Sequence, residues 1–395
     1  MKIKHYFWIF FGLNLLNYAD RQVLYAVFPL VQADLQLTDL QLGTLASVFM
    51  LVYMIYAPVM GYWADRSPRP RLVGMSALLW SGATLACGVA KNYISLLVPR
   101  ALIGIGEGGF TTIAQPFLAE HYPKEKHAKM LACFGLALPV GSALGYVLGG
   151  LAGQQWGWRA AFMIAGIPGL FLGLWAWFGL KDKAREHQTP AKRPALKDYL
   201  PLFKNKPFLR ICLAQAMMTF VMGGLAAWMP MYLHRYLAWE TARAGTCFGA
   251  LVIGCGAIGT LLGGKLASRW ITRSSQAYYQ LTAYSFLAAL PCCWLALCMT
   301  GPWGVLVCLG LVLILLFMPT GAIAAALVAS TSEKIRSMAF ALNIFMIHLL
   351  GDAISPTLIG WTSDGWGLKT AVFCTSLMLV PGILAAGYRP GQKIK

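Results

Sequence analysis

Long apolar stretches, each broken by a short polar turn, repeat along the whole chain. Apolar runs long enough to cross a bilayer need about 17–25 residues. Such runs occur near 5–30, 41–63, 72–90, 93–119, 128–152, 158–180, 207–235, 243–270, 277–299, 303–329, 336–362 and 368–388. The runs are continuous rather than alternating, so they predict helices and not barrel strands. The expected fold class is therefore an all-α polytopic membrane protein of twelve spanning helices.

The longest polar stretch, about 181–206, is rich in Lys, Arg and Pro and divides the chain near its midpoint. It predicts an N-terminal six-helix bundle over 1–180, a cytoplasmic linker over 181–206 and a C-terminal bundle over 207–395. The halves repeat each other. Gly61-Tyr-Trp-Ala-Asp-Arg66 closes the second run and Gly264-Lys-Leu-Ala-Ser-Arg269 closes the eighth. Trp156-Gly-Trp-Arg159 precedes the sixth and Trp366-Gly-Leu-Lys369 the twelfth. Glycines recur every fourth residue at Gly141, Gly145, Gly149 and Gly153, and the eighth run carries Gly245, Gly249, Gly259 and Gly263. Such faces serve close helix packing, or else form a seam on which two halves rock.

Composition agrees with the pattern. Hydrophobic residues make up 58% of the 395 and charged residues 12%, against roughly 25% charged in soluble domains; the mean hydropathy is +0.62. The net charge of +18 first suggests nucleic acid. Its distribution points instead to topology, because most Lys and Arg lie in the tails and in loops after even-numbered runs. Arg66, Arg69 and Arg71, then Lys124, Lys126 and Lys129, are examples. The positive-inside rule makes those loops and both termini cytoplasmic, with attraction to anionic membrane lipids and none required for nucleic acid. The ten cysteines form no CxxC and sit within the runs, as packing residues. Residues 5–16 resemble a signal peptide, but the apolar stretch continues past Asp20 and Arg21 without a cleavage site, so it is kept as the first helix.

Two motifs need separating. Gly104-Ile-Gly106-Glu-Gly-Gly109 matches the dinucleotide fingerprint in spacing, but it lies inside an apolar helix with no preceding strand, so no cofactor is expected. Gly61-Tyr-Trp-Ala-Asp65-Arg66-Ser-Pro-Arg69-Pro-Arg71 resembles the loop between helices two and three of the major facilitator superfamily, with Pro68 where that family usually has glycine. The resemblance implies the fold named above and a conformational latch made by Gly61, Asp65 and Arg66. Narrower stretches look like the Spinster family: Asn17-Tyr-Ala-Asp20-Arg21, Arg100-Ala-Leu-Ile-Gly104-Ile-Gly106-Glu107, Pro139 to Tyr146, and His348-Leu-Leu-Gly351-Asp352-Ala-Ile-Ser355-Pro356. This similarity is stronger in the first half. It implies a carrier of lysophospholipids or sphingosine phosphate, with proton coupling as proposed for bacterial relatives.

The chemistry concentrates in charges within the runs. A Lys, Arg or Asp at a spanning helix centre costs about 2.5–3.5 kcal/mol on insertion scales. Asp20, Arg21, Arg100, Glu107 and Asp352 must therefore face a wet cavity or one another. Arg100, Gly104, Glu107 and Thr111 share one helical face; Asn14, Asn17 and Arg21 share another, with Asp20 beside it; His348, Asp352 and Ser355 share a third. Asp20 and Glu107 are the candidate proton-coupling carboxylates. Glu107 stands among glycines in a low-dielectric helix, and Asp20 has Arg21 beside it as a counter-charge. Arg21 and Arg100 are the candidate anion binders, competing with substrate for those carboxylates. The alternative is a static ion-pair cluster joining helices one and four. Asn17, Thr111, His348, Asp352, Gln215 and Asn343 complete the candidate substrate site, with Thr219 as a further wall residue.

These residues point to a secondary active transporter of an amphipathic anionic small molecule, working as a monomer in the cell inner membrane with protons and lipids as its other partners. The alternative substrates are small organic anions or drugs. Nothing in the sequence resembles a nucleophile with its base, a metal cluster or a P-loop, so an enzyme, like a non-transporting sensor or a channel, is the weaker reading.

Overall fold

The computed structural model describes residues 3–64, 66–123, 126–180, 200–274, 276–332 and 335–387. The linker read at 181–206 lies mostly outside the described residues, as does Asp65.

Twelve long helical segments, α1 to α12, follow the twelve apolar runs. α1 spans Ile3–Ala26 and continues as Phe28–Leu35; α2 is Asp39–Ala64, α3 Arg69–Gly88 and α4 Tyr93–His121. α5 joins His127–Gly135 to Ala137–Trp156, and α6 is Trp158–Gly179. In the second half α7 is Lys206–Leu237, α8 Thr241–Trp270 and α9 Ala277–Cys298. α10 joins Pro302–Phe317 to Thr320–Ala329, α11 joins Arg336–Ile347 to Ser355–Trp366, and α12 joins Leu368–Leu377 to Leu379–Gly387. Among the described residues nine helices are long and apolar enough to cross a membrane. The segments outside that group are α1, α3 and α4. They are the ones that carry Asp20 and Arg21, Thr84, and Arg100 and Glu107.

The internal repeat has a backbone counterpart. Gly157, between α5 and α6, has φ 84° and ψ 158°; Gly367, between α11 and α12, has φ 81° and ψ 153°. That region is open essentially to glycine alone. The Trp-Gly pair of each half therefore makes the same corner, in the same place in its helix order.

By chain packing the protein forms two compact units. The first comprises residues 1–191 together with Ala227–Ala250; the second comprises 192–226 and 251–395. In the first unit, the α5 glycines lie on α1. A Cβ on Gly141 or Gly145 would collide with the carbonyl oxygen of Leu15 or Ala19, and one on Gly149 or Gly153 would fall 3.0 Å from Val23 Cα or 2.7 Å from Val27 Cγ1. The α5 stripe is therefore a packing face inside one unit and not a seam between halves, because close backbone contact on successive turns leaves no room to slide. The fingerprint glycines are packing positions too. Gly104 and Gly108 meet the backbone of α2 at Phe49 and Tyr53, while Gly106 and Gly109 meet α3 at Ser76. In the second unit Gly259 and Gly263 bring α8 against the backbone of α10 at Ile314 and Met318.

Candidate functional site

Asn17 and Arg21 are one helical turn apart on α1, so their side chains meet on one face. Arg21 Nη2 donates to Asn17 Oδ1 at 3.1 Å, and Arg21 Nε donates to Glu107 Oε2 of α4 at 2.7 Å. Glu107 is fully buried and the Arg21 side chain nearly so. The guanidinium also lies 5.1 Å from the ring centroid of Tyr18, 5.0 Å from that of Phe49 and 4.9 Å from that of Tyr53. Three aromatic faces supply cation–π attraction where hydration is lost. A buried ion pair of this kind stabilises less than its distance suggests, since both ions have left water. Removing one partner leaves the other charge stranded, which makes the pair sensitive to protonation and to a competing anion.

Asp20 takes a different partner from the one expected. Arg21 was its anticipated counter-charge, yet consecutive helical residues point about 100° apart. Arg21 faces Glu107, whereas Asp20 faces α3, where Thr84 Oγ1 donates to its Oδ2 at 3.1 Å. Asp20 Oδ1, Glu107 Oε1 and Asn17 Nδ2 are buried without a protein hydrogen-bond partner.

Arg100 stands on α4 two turns before Glu107 and is fully buried. Its Nε reaches the Leu45 carbonyl oxygen at 3.4 Å, its guanidinium sits 5.1 Å from the Phe49 ring, and Nη1 and Nη2 have no protein partner. A buried guanidinium with two unsatisfied nitrogens has the fork geometry that takes a carboxylate or phosphate in two-point fashion. Thr111, one turn beyond Glu107, donates to the Glu107 carbonyl oxygen at 3.0 Å and shares a 2.7 Å hydrogen bond with the Tyr53 hydroxyl. Asn14 turns away from this group and donates to the Phe134 carbonyl oxygen at 3.3 Å.

The second unit holds a thinner set. Asn343 Nδ2 donates to Gln215 Oε1 at 2.9 Å, joining α11 to α7. His348 Nδ1 and Asp352 Oδ1 are 2.9 Å apart. They lie on a π-helical turn, His348–Asp352, in which Gly351 leaves helical geometry at φ −109° and ψ −112°. Gly351 sits against Thr219, and Asp352 against Gly223, where an added Cβ would come 3.0 Å from Asp352 Cα. The expected spacing of His348 and Asp352 is therefore realised through a widened turn, the kind that recurs at functional positions.

Of the loop motif, Asp65 lies outside the described residues. Arg66 folds back on its own helix: Nη1 donates to the Tyr62 carbonyl oxygen at 3.1 Å and the guanidinium lies 3.7 Å from the Tyr62 ring centroid. A Cβ on Gly61 would make only an ordinary 3.5 Å contact with Thr112. Among the described residues, an ion pair of Arg69 Nη1 with Glu120 Oε2, 2.6 Å, ties this loop to the unit, between the start of α3 and the end of α4. In the sequence alone Arg69 reads as a topology charge. Its burial against Glu120 had no helical-spacing signal, since the two are 51 residues apart.

The pattern of the Major Facilitator Superfamily matches residues 10–356. The sphingosine-1-phosphate transporter SPNS2 of Mus musculus is 32% identical over 374 residues, covering 89% of this chain and 68% of that protein. The chain belongs to the Spinster family of the major facilitator superfamily. The Danio rerio SPNS2 transporter is 31% identical, with 95% of this chain and 80% of that protein covered. Among solved structures, a bacterial homolog of the human lysosomal transporter Spinster, in an inward-facing and occupied conformation, superposes with a TM-score of 0.87 at 21% identity, covering 97% and 96% of the two chains. The fold is thus the two-bundle major facilitator fold, and this Spinster-family chain is a multi-pass membrane transporter rather than an enzyme.

Proposed function

We propose that the chain is a proton-coupled secondary active transporter that moves an amphipathic anion, a lysophospholipid or a close relative, by alternating access. The observation that carries this reading is the buried Arg21–Glu107 pair, with Arg100 nearby on the same helix holding two free guanidinium nitrogens. Glu107 and Asp20 carry the proton. When Glu107 is neutral, Arg21 loses its counter-charge and binds the substrate anion; when substrate leaves, Arg21 recaptures the carboxylate. Arg100 supplies a second cationic contact, and Asn17 and Thr111 orient Arg21 and the Tyr53 edge of the site. In the second half His348, Asp352, Gln215 and Asn343 contact substrate. Relatives named as sphingosine-1-phosphate transporters support a lipid with an anionic headgroup. The chain works as a monomer in the inner membrane with both termini cytoplasmic, and Gly61, Asp65 and Arg66 act as the latch near the second helix.

The test is uptake by purified protein in liposomes, offering lysophospholipids and short-chain organic anions with and without a pH gradient. Gradient-stimulated uptake that requires the acyl tail is expected, with Arg100→Gln lowering apparent affinity about tenfold or more. Equal uptake of tail-less anions makes the substrate a small organic anion, and uptake indifferent to the gradient removes the proton from the mechanism.

A further inference from the structure

Residues Ala227–Ala250, the end of α7 and the start of α8, come from the second half of the sequence but pack as part of the first unit. The docking is specific. Asp39 opens α2 and is only 5% exposed. Arg235, in the last turn of α7, donates from Nη1 to Asp39 Oδ2 at 2.7 Å and from Nη2 to Asp39 Oδ1. Gln32 braces both ions, accepting from Arg235 Nη2 at 2.8 Å and donating to Asp39 Oδ1 at 2.7 Å. A second polar clasp lies at the other side of the turn. Gln154 of α5 donates to Glu240 Oε2 at 2.6 Å and accepts from the Ala242 backbone N–H at 2.8 Å.

Beneath the clasps the surface is closely fitted. A Cβ on Gly150 would fall 3.1 Å from Thr241 O, and one on Gly245 would fall 2.7 Å from Tyr146 O. Trp228 packs on Phe28 with centroids 5.5 Å apart, and Phe248 stands edge-on to Tyr146 at 5.1 Å. Small residues and aromatic rings meet here at close range. The ion pair is the part with direction: two parallel N–H···O bonds fix one register, and a carboxylate left without its guanidinium would be stranded beside α1.

We infer that the Ala227–Ala250 hairpin is an outer-side lock, latched by the Asp39–Arg235 pair and braced by Gln32, that must release for the protein to open toward the face opposite its basic loops. The inference rests on the reading of the chain as an alternating-access transporter, and on neither its substrate nor its coupling ion. It names a latch distinct from the loop motif.

A cysteine placed at Phe28, which is fully buried under Trp228, reports release. Full-length protein carrying Phe28→Cys, in sealed vesicles, is treated with a membrane-impermeant maleimide from the outer side, the ten native cysteines being counted in the parent. Asp39→Asn and Arg235→Gln are expected to raise the labelling rate at position 28 about tenfold. The swapped pair Asp39→Arg with Arg235→Asp is expected to return it toward the parent rate. Arg235→Lys, which keeps the charge and loses the two-point grip, should fall between and guards against a misfolded variant. Labelling unchanged in both neutralised variants overturns the lock, as does a swapped pair that labels as fast as the single variants. Because labelling needs neither substrate nor gradient, those results stand apart from any failure of the uptake experiment.

Discussion

The two units handle buried polarity in opposite ways. The first concentrates fixed charge: Glu107, Arg100 and Asp20 are buried within α1 and α4 and Arg21 nearly so, with aromatic rings around the cations. The second uses an amide pair, Gln215–Asn343, and a histidine–aspartate pair about one-fifth exposed. Fixed charge in a low dielectric is costly to leave unpaired, so it couples strongly to whatever changes its pairing. Neutral amides are nearly indifferent to ionisation and adapt to different ligands. Under the proposed function, the contrast places energy coupling in the first unit and adjustable substrate contact in the second.

The sharpest way to break that contrast is at its most charged point. Glu107→Gln keeps the shape but strands Arg21, and is expected to abolish gradient-driven uptake and to lower the melting temperature of purified protein. Stranding one member of a buried pair costs about 3–5 kcal/mol. Full gradient dependence in both Glu107→Gln and Asp20→Asn would move coupling out of the first unit. A smaller effect is expected in the second unit: Asn343→Ala, which removes the donor to Gln215, should change apparent affinity about two- to fivefold while leaving gradient dependence intact. A Glu107-sized loss there would erase the distinction between the units.

The smallest effect belongs to the surface. Asp34, beyond the apolar stretch 5–30, accepts from Arg159 Nη1 at 2.7 Å and from Trp158 Nε1 at 3.2 Å. Those hydrogen bonds, with the Arg159 charge, hold its carboxyl below the usual carboxylate range. A lowered folded-state value adds stability that is present above the unfolded value and lost as pH falls through the folded one. The melting-temperature difference between the wild type and Asp34→Asn should therefore be small and positive at neutral pH, begin to shrink near about pH 4 and vanish as pH falls through the lowered folded value. A difference that grows on acidification contradicts the sign.

What the sequence disclosed follows from the range of its signals. Twelve apolar runs and the faces joining Asn17 to Arg21 and Arg100 to Glu107 are local periodicities, legible without a structure. The choice of partner across helices was not. That Asp20 meets Thr84 while Arg21 meets Glu107 depends on how α1 is rotated against α3 and α4, which glycine contacts with α5 fix. Arg235 and Asp39, 196 residues apart, share no periodic face and each passes in sequence for an ordinary helix-end charge. The glycines of the fingerprint and of α5 were visible as a spacing, yet only their neighbours distinguish a packing face from a hinge.

The widened turn in α11 has a consequence for how this helix can vary. A π turn amounts to one residue accommodated as a bulge within an α-helix. Each residue added or removed rotates everything beyond it by about 100°. Deleting Gly351 would let the helix close to regular pitch, swinging His348 relative to Ser355 and Pro356 by about a quarter of the circumference. Lineages that gain or lose a codon there would reorient that histidine, together with the rest of its helical segment, without substituting any other residue.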